Sequence, residues 1–409
     1  MRSPARPAAE PPARSTSGRS RAVSLGLVEV ELGHGDAARV WIDRAEELLG
    51  ADGPPQVLAF TLWLKSRIVS TEGDQDEALA LAGRAVALAA AASTSMRALV
   101  LVHEDLYRMA LGDVAAGRAR QDRVAAAGLS SEVDPLTGTM IYCSILWTCR
   151  TFADWSRAAQ WTPGFDLWCK SAFAEVTSAC RLHGADVLAS VGRLGDALAE
   201  VERSVLLLIE EGAWELGDVC RVRGDIRAMM EDAAAVRADP QLSLSLGWDV
   251  EPGLARLRAE EGDVAGALAA IDRSLASPTW FARQRRAWLL TNKAQIAAGS
   301  SLPKVAAVAL ADLDASPDAA RVPSVHAMAR EAQAEILAGQ GALVAAVAEL
   351  QTARQLWLVI RHGYHAVRLQ LRLADLLERA GDPESAGIER GAAHLAAARI
   401  GARGLTESA

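Results

Sequence analysis

The sequence predicts an all-α fold, a superhelical solenoid of about ten stacked helix pairs over residues 23–400. Composition is the first reason. The 409 residues are 51% hydrophobic but only 5% aromatic, Ala is abundant, and a single Asn (Asn292) occurs, a mixture that favours helix throughout. A second reason is periodic. A Gly followed five and twelve residues later by a small residue recurs along the chain. The third is local chemistry, since an Asp directly follows several of these Gly and joins a helix stop to a helix start.

Residues 1–22 carry five Arg (Arg2, Arg6, Arg14, Arg19, Arg21) against Glu10, and they contain no apolar run. Their Pro and Ser content predicts a disordered basic leader rather than a signal peptide. The repeat then begins with Gly33, Ala38 and Ala45. It continues with Gly73, Ala78, Ala85; Gly112, Gly117, Val124; a weaker Ala153, Ala158, Phe165; and Gly192, Ala197, Ser204. The second half reads Gly224, Met229, Val236; Gly262, Ala267, Ser274; Gly299, Lys304, Ala311; Gly341, Ala346, Ala353; and Gly381, Ala386, Ala393.

A unit of about forty residues holds two helices of three to four turns and two short connections. At Gly73-Asp74, Gly112-Asp113, Gly224-Asp225, Gly262-Asp263 and Gly381-Asp382, Gly suits a left-handed helix end and Asp suits the next N-cap. Pro383 follows at the favoured first helical position. The two small residues lie seven apart, on one helix face, where bulk would hold neighbouring helices beyond about 8–10 Å. Phe165, Met229 and Lys304 break the pattern, so their units are expected to pack loosely or be offset. Val367, Leu369, Leu371 and Leu373 alternate like a strand, but Leu376 and Leu377 restore helical spacing and the forty-residue frame favours helix. Residues 401–409 read as a flexible tail.

The formal charge is −8, and the leader is basic, so the body is more acidic still. That argues against direct nucleic-acid binding, which needs clustered positive charge. Pro135–Cys149 is uncharged but too short to span a bilayer. Five Cys without zinc-like or CxxC spacing argue against a disulfide framework or metal site, and point to a reducing cytoplasm.

The repeat resembles tetratricopeptide repeats, specifically the longer variety of maltose-regulon activators and of large LuxR-type regulators from actinobacteria. A tighter resemblance to the C-terminal repeat block of the LuxR-type proteins covers residues 135–402. It rests on Tyr142-Cys143, Trp161, Trp168-Cys169, Cys180 with His183 and Asp186, Arg221-Val222-Arg223-Gly224, Glu251-Pro252-Gly253-Leu254-Ala255, Trp357 and Ile400-Gly401-Ala402. In that family an ATPase module often precedes the repeats and a helix-turn-helix usually follows; neither is found in this sequence. The resemblance implies a regulatory role. Three departures, Gly184 for Arg, Gly363 for Pro and His365 for an acid, weaken any ligand contact carried over at those positions.

No P-loop, HExxH or GxSxG pattern occurs. Gly33-His34-Gly35-Asp36-Ala37-Ala38 fits a loose dinucleotide motif, but no βαβ alternation follows. Cys180, His183 and Asp186 resemble a nucleophile, base and orienter, although side chains of one helix diverge and a polar or packed stripe fits better. Asp218 and Arg221 suit a salt bridge, with Arg223 adding a possible anion contact. Tyr142, Trp147, Trp161 and Trp168 belong to a local aromatic cluster over residues 142–173, either a bulky core or the wall of a binding site. His362, Tyr364 and His365 fall in an expected solvated loop.

Together these features predict a non-enzymatic regulatory scaffold that binds a protein or peptide partner in its concave face. No cofactor is expected. The alternative is a small-molecule sensor using the aromatic cluster, and an enzyme on a repeat scaffold comes third.

Overall fold

The computed structural model describes residues 16–128, 132–172, 177–230, 238–316, 322–402 and 404–407. Every regular element among them is a helix. Adjacent helices pack as pairs: α1 (Thr16–Glu31) with α2 (Gly35–Leu49), α3 (Pro55–Thr71) with α4 (Gln75–Ala89), and α5 (Thr94–Ala110) with α6 (Val114–Gly128). Next come α7 (Pro135–Thr151) with α8 (Trp155–Ala172), α9 (Ser178–Ser190) with α10 (Leu194–Glu211), and α11 (Leu216–Met230) with the short α12 (Ala238–Ser245). The C-terminal part pairs α13 (Gly253–Glu260) with α14 (Val264–Ala276), then α15 (Trp280–Gln284) and α16 (Arg286–Gly299) with α17 (Pro303–Asp314). Last are α18 (Pro323–Gly339) with α19 (Leu343–Ile360), α20 (Gly363–Arg379) with α21 (Pro383–Ile400), and a final turn α22 (Gly404–Glu407).

Both chain ends depart from expectation. Helix α1 starts at Thr16, inside the expected leader, because Ala22 and Val23 bury themselves in the same apolar cluster as Ile42. Residues 1–15 lie outside the described residues. At the other end Ala402 is buried and Leu405 packs against apolar neighbours, so the tail is docked as far as it is described.

The small-residue seam explains how the pairs approach. Ala38, Ala78, Ala158, Ala197, Ala267, Ala346 and Ala386 are essentially inaccessible, as are Ala45, Ala85, Ser204, Ala353 and Ala393. At Gly117 even a Cβ would collide with the Met109 side chain. Capping follows the expected chemistry where it is described. The carboxylates of Asp74, Asp263 and Asp382 accept from the backbone N–H of Glu77, Gly266 and Ser385 at 3.0, 2.9 and 3.1 Å.

Two units are registered differently from the sequence frame. Gly224 lies inside α11, not at a turn, and Asp225 pairs with Arg221 at 2.8 Å instead of capping a helix. The connection after α11, residues 231–237, lies outside the described residues. Near Gly299 the left-handed residue is Ser301 (φ 60°), two positions later. The buried seam is therefore Ala306 and Leu313, which leaves Lys304 exposed and removes it as an anomaly. The alternating stretch Val367–Leu373 is helical within α20.

The turns inside the pairs also touch residues far along the chain. The carbonyl of Glu31 accepts from the backbone N–H of Trp214 at 3.4 Å, and a Cβ on Gly33 would meet the Trp214 side chain. A Cβ on Gly73 would run into the carbonyl oxygen of Pro278. The Ser324 hydroxyl donates to the carbonyl of Ala153, and Gly192 lies against Gly363 and Ile400. Gly363, unusual in its setting, is small because the Val191–Gly192 backbone abuts it.

One helix among the described residues, α19, is long and apolar enough by length and composition to cross a membrane. It packs between α18 and α20 and buries Ala346, Leu350, Ala353, Trp357 and Ile360.

Gly73→Ala and Gly112→Ala separate conformation from contact. Both residues have left-handed backbones (φ 100° and 108°), but space beside Gly112 is open. Urea denaturation is expected to show a cost of about 1–2 kcal/mol at Gly112, from the backbone alone, and a clearly larger one at Gly73. Equal costs would contradict the contact with Pro278.

Candidate functional site

The first helix of each pair turns one face inward, and the forty-residue period stacks like positions on one another. Trp63 of α3 meets His103 of α5 edge-on, with ring centres 5.3 Å apart, and His103 Nε2 lies 3.4 Å from the Ser144 hydroxyl of α7. One turn later Arg67, Tyr107 and Trp147 repeat the register. With Leu27 and Glu31 of α1 and the segment Ala213–Glu215, these side chains enclose a cavity of about 410 Å³. Its far wall is an aromatic stack. Trp214 lies on Trp248 with centres 4.6 Å apart, and Trp147 packs at 6.4 and 6.2 Å from the two. A more open hollow of about 860 Å³, bordered by Glu251, Arg258 and Arg273, lies on the other side of Trp214.

Charge in the first cavity is uneven. Arg67 is spent on Glu31 at 2.5 Å, with its guanidinium 5.1 Å from the centre of the Trp63 ring. Burial, reinforced by Arg67, pushes His103 down to about 3, so it is neutral, and its Nδ1–H donates to the Leu99 carbonyl at 3.1 Å. Glu215 makes no ion pair among the described residues. Burial, with Glu31 nearby, pushes its carboxyl up to about 8.

Behind this wall lies a buried ion cluster. Arg150 donates from Nε to Asp186 at 2.6 Å, and from one terminal nitrogen to Asp218 at 3.0 Å and to His183 Nδ1 at 2.8 Å. Arg donates only, so His183 Nδ1 accepts; burial and Arg150 hold this His well below its ordinary range. Asp218 is fully buried. Its desolvation opposes ionisation, yet Arg150, Arg221 and Arg285 outweigh it and hold the carboxylate below the usual range. Arg221 also spans Asp218 and Asp225, at 2.8 Å each. Arg150 of α7, Arg221 of α11 and Arg285 at the α15–α16 junction thus converge on the Asp218 carboxylate, and α9 joins through the contacts of His183 and Asp186 with Arg150.

The structure therefore joins His183, Asp186, Asp218 and Arg221 through Arg150. It separates Cys180, whose backbone N–H is capped by Thr177 and whose thiol pairs with Cys143; that hydrogen bond and burial raise the Cys143 thiol. No nucleophile–base pair forms among Cys180, His183 and Asp186, because Arg150 takes up both of the latter. Arg223 belongs elsewhere: with Arg227 it holds Asp239 and Glu202, tying α11 to α10 and α12.

The aromatic cluster divides. Of the three singled-out aromatics whose side chains are described, Trp147 lines the cavity and Tyr142 and Trp161 do not. Tyr142 is fully buried against Trp161, at 6.3 Å edge-on, and the Trp161 indole donates to Asp122 at 3.0 Å. Trp168 lies on α8, and its side chain is outside the described residues. His362 and His365 are buried, not solvated: His365 stacks on Trp357 at 4.4 Å, and His362 meets it edge-on at 5.1 Å. Trp63, His103 and Tyr107 escaped sequence reasoning that followed the turns and the local aromatic enrichment. Reading the first-helix positions at the same period would have found them. Among the described residues no group of three His, Cys, Asp or Glu side chains is placed to hold a metal.

The chain matches no protein-family model and no curated protein.

Asp218→Asn strips the cluster of its central charge and is expected to cost about 3–5 kcal/mol in urea denaturation. Asp196→Asn, in an exposed pair with Arg193, should stay within about 1 kcal/mol. For Glu215 the sign is opposite to that of a paired acid. Its folded value exceeds the ordinary 4.5, so the folded state retains a proton that the unfolded state has lost. Stability relative to Glu215→Gln should fall as pH rises from about 4.5 to about 8, then level off. A flat difference across that window would contradict the burial of this carboxyl.

Proposed function

We propose that this chain is a small-molecule-sensing helical-repeat protein, with its effector site in the cavity bounded by Trp63, His103, Tyr107, Trp147 and Trp214. One observation carries the reading. At this point Trp214 and Glu31 narrow the inner faces into a partly open hollow of ligand size with aromatic walls and a few polar groups. A peptide groove needs unpaired charge on successive first helices. Here Arg67 is paired with Glu31, and Arg150, Asp186, Asp218 and Arg221 satisfy one another instead.

In this proposal the packed pairs form a solenoid of about ten units in which the turns at Gly33, Gly73, Ala153 and Gly192 touch units roughly five further on. An effector bridges α1–α7 and the start of α11, and so stabilises the closed arrangement to the extent that it binds that arrangement better than an opened one. Such coupling suits a regulator of the LuxR type working in the cytoplasm. It requires no nucleophile, metal or cofactor. A second reading, a partner-protein scaffold, is favoured by a different surface. Val344 and Val359 of α19 and Ile388 and Leu395 of α21 are large, apolar and mostly exposed, which supports protein contact on these helices.

Thermal unfolding against a metabolite library tests the sensor reading. A true effector at about 100 times its Kd contributes about 2.7 kcal/mol and raises Tm, and Trp147→Ala should abolish the rise. A library without any hit, or a hit unaffected by Trp147→Ala, would overturn it.

A further inference from the structure

We propose that the effector is a small organic cation, an ammonium compound with a flat apolar body carrying a hydroxyl or carbonyl group. This inference rests on the sensor reading and names its ligand class.

Among the described residues, three that line the cavity carry buried polar atoms without a protein partner. Trp63, 1% exposed, leaves its indole N–H without an acceptor; Trp214 does the same, and Gln284, 3% exposed, leaves its side-chain oxygen without a donor. Buried polar groups are rarely left unpaired, so a ligand here must supply two acceptors or one shared acceptor, and at least one donor. A wholly apolar guest fails this requirement.

Charge then selects the sign. The lining holds Glu31, Glu211 and Glu215 against Arg67, while His103 and His183 are held neutral. Arg67 is committed to Glu31, and Glu211 accepts from the Ser178 hydroxyl at 2.5 Å. Glu215 remains as a carboxyl without an ion pair among the described residues, facing a low-dielectric space. Once Glu215 is ionised, an anionic ligand would meet it and Glu211 there with no cation left unpaired by Glu31. A cation instead pairs with Glu215, donates to Gln284 and lies against indole faces whose electron density attracts positive charge. The arrangement of Arg67 over Trp63 already displays that interaction within the same cavity.

Three probes of one size and different charge provide the test: 2-phenylethylammonium, 2-phenylethanol and phenylacetate, followed by Trp fluorescence at about pH 8.5, where Glu215 is largely ionised. The cation is expected to bind about tenfold tighter than the alcohol, and phenylacetate most weakly. Glu215→Gln should bring the cation and the alcohol to similar affinity while leaving the alcohol unchanged. The ranking in the unaltered protein stands even if that variant misfolds. Equal or tighter binding of the alcohol, or tightest binding of phenylacetate, overturns the cation class and leaves the sensor reading intact. Silence from all three overturns the cation class as well, and the sensor reading falls only if the metabolite library is also silent.

Discussion

Close approach at the turns is the constraint on which the rest of this structure depends. Gly33, Gly73, Ala153 and Gly192 join the two helices of their pairs, and each also abuts a segment well over a hundred residues further on. Even a methyl group at Gly33 or Gly73 would collide with the facing segment. Small residues therefore do two things at once: they permit a left-handed or tight backbone, and they remove the bulk that would leave the interior open. The alanine seam of the second helices performs the same service sideways, between neighbouring pairs.

Closing the interior has an electrostatic consequence. First-helix residues that would face water in an open superhelix face one another instead, so their charges must be paired or neutralised. Arg150, Asp186, Asp218 and Arg221 do so as an ion cluster whose members come from helices that only this packing brings together. Desolvation makes such a cluster a poor source of net stability, but removing one member leaves the others uncompensated, which gives it a strong preference for this one arrangement. His103 and His183 adapt by remaining neutral. Among the described residues Glu215 has no such partner, and burial keeps its carboxyl protonated to a higher pH than usual.

The architecture was legible because helix punctuation is local. Asp74, Asp263 and Asp382 cap helices as their positions after Gly imply, and Ala38 through Ala386 are buried where the period puts them. The errors have equally local causes. Gly224-Asp225 reads like a junction, but Asp225 finds Arg221 one turn earlier on the same helix, so the helix continues. Ser301 takes the left-handed turn two residues beyond Gly299, which no residue preference signals. The site was only partly legible. His183, Asp186, Asp218 and Arg221 were visible as candidate polar residues, whereas Arg150, their hub, sits 33 to 68 residues from the partners it joins. Local aromatic enrichment around residues 142–173 also misled, since Tyr142 and Trp161 fill a core while the cavity takes its aromatic and imidazole rings from several pairs.

Whether the interior is closed in solution can be measured as a distance. Spin labels at Asp76 and Thr279, both exposed and flanking the Gly73–Pro278 contact, report it directly by pulsed electron paramagnetic resonance. The account predicts one narrow, short-range distribution. A separation of roughly 45 Å or more, the span of five pairs advancing about 9 Å each in line, would mean an open groove and would contradict it.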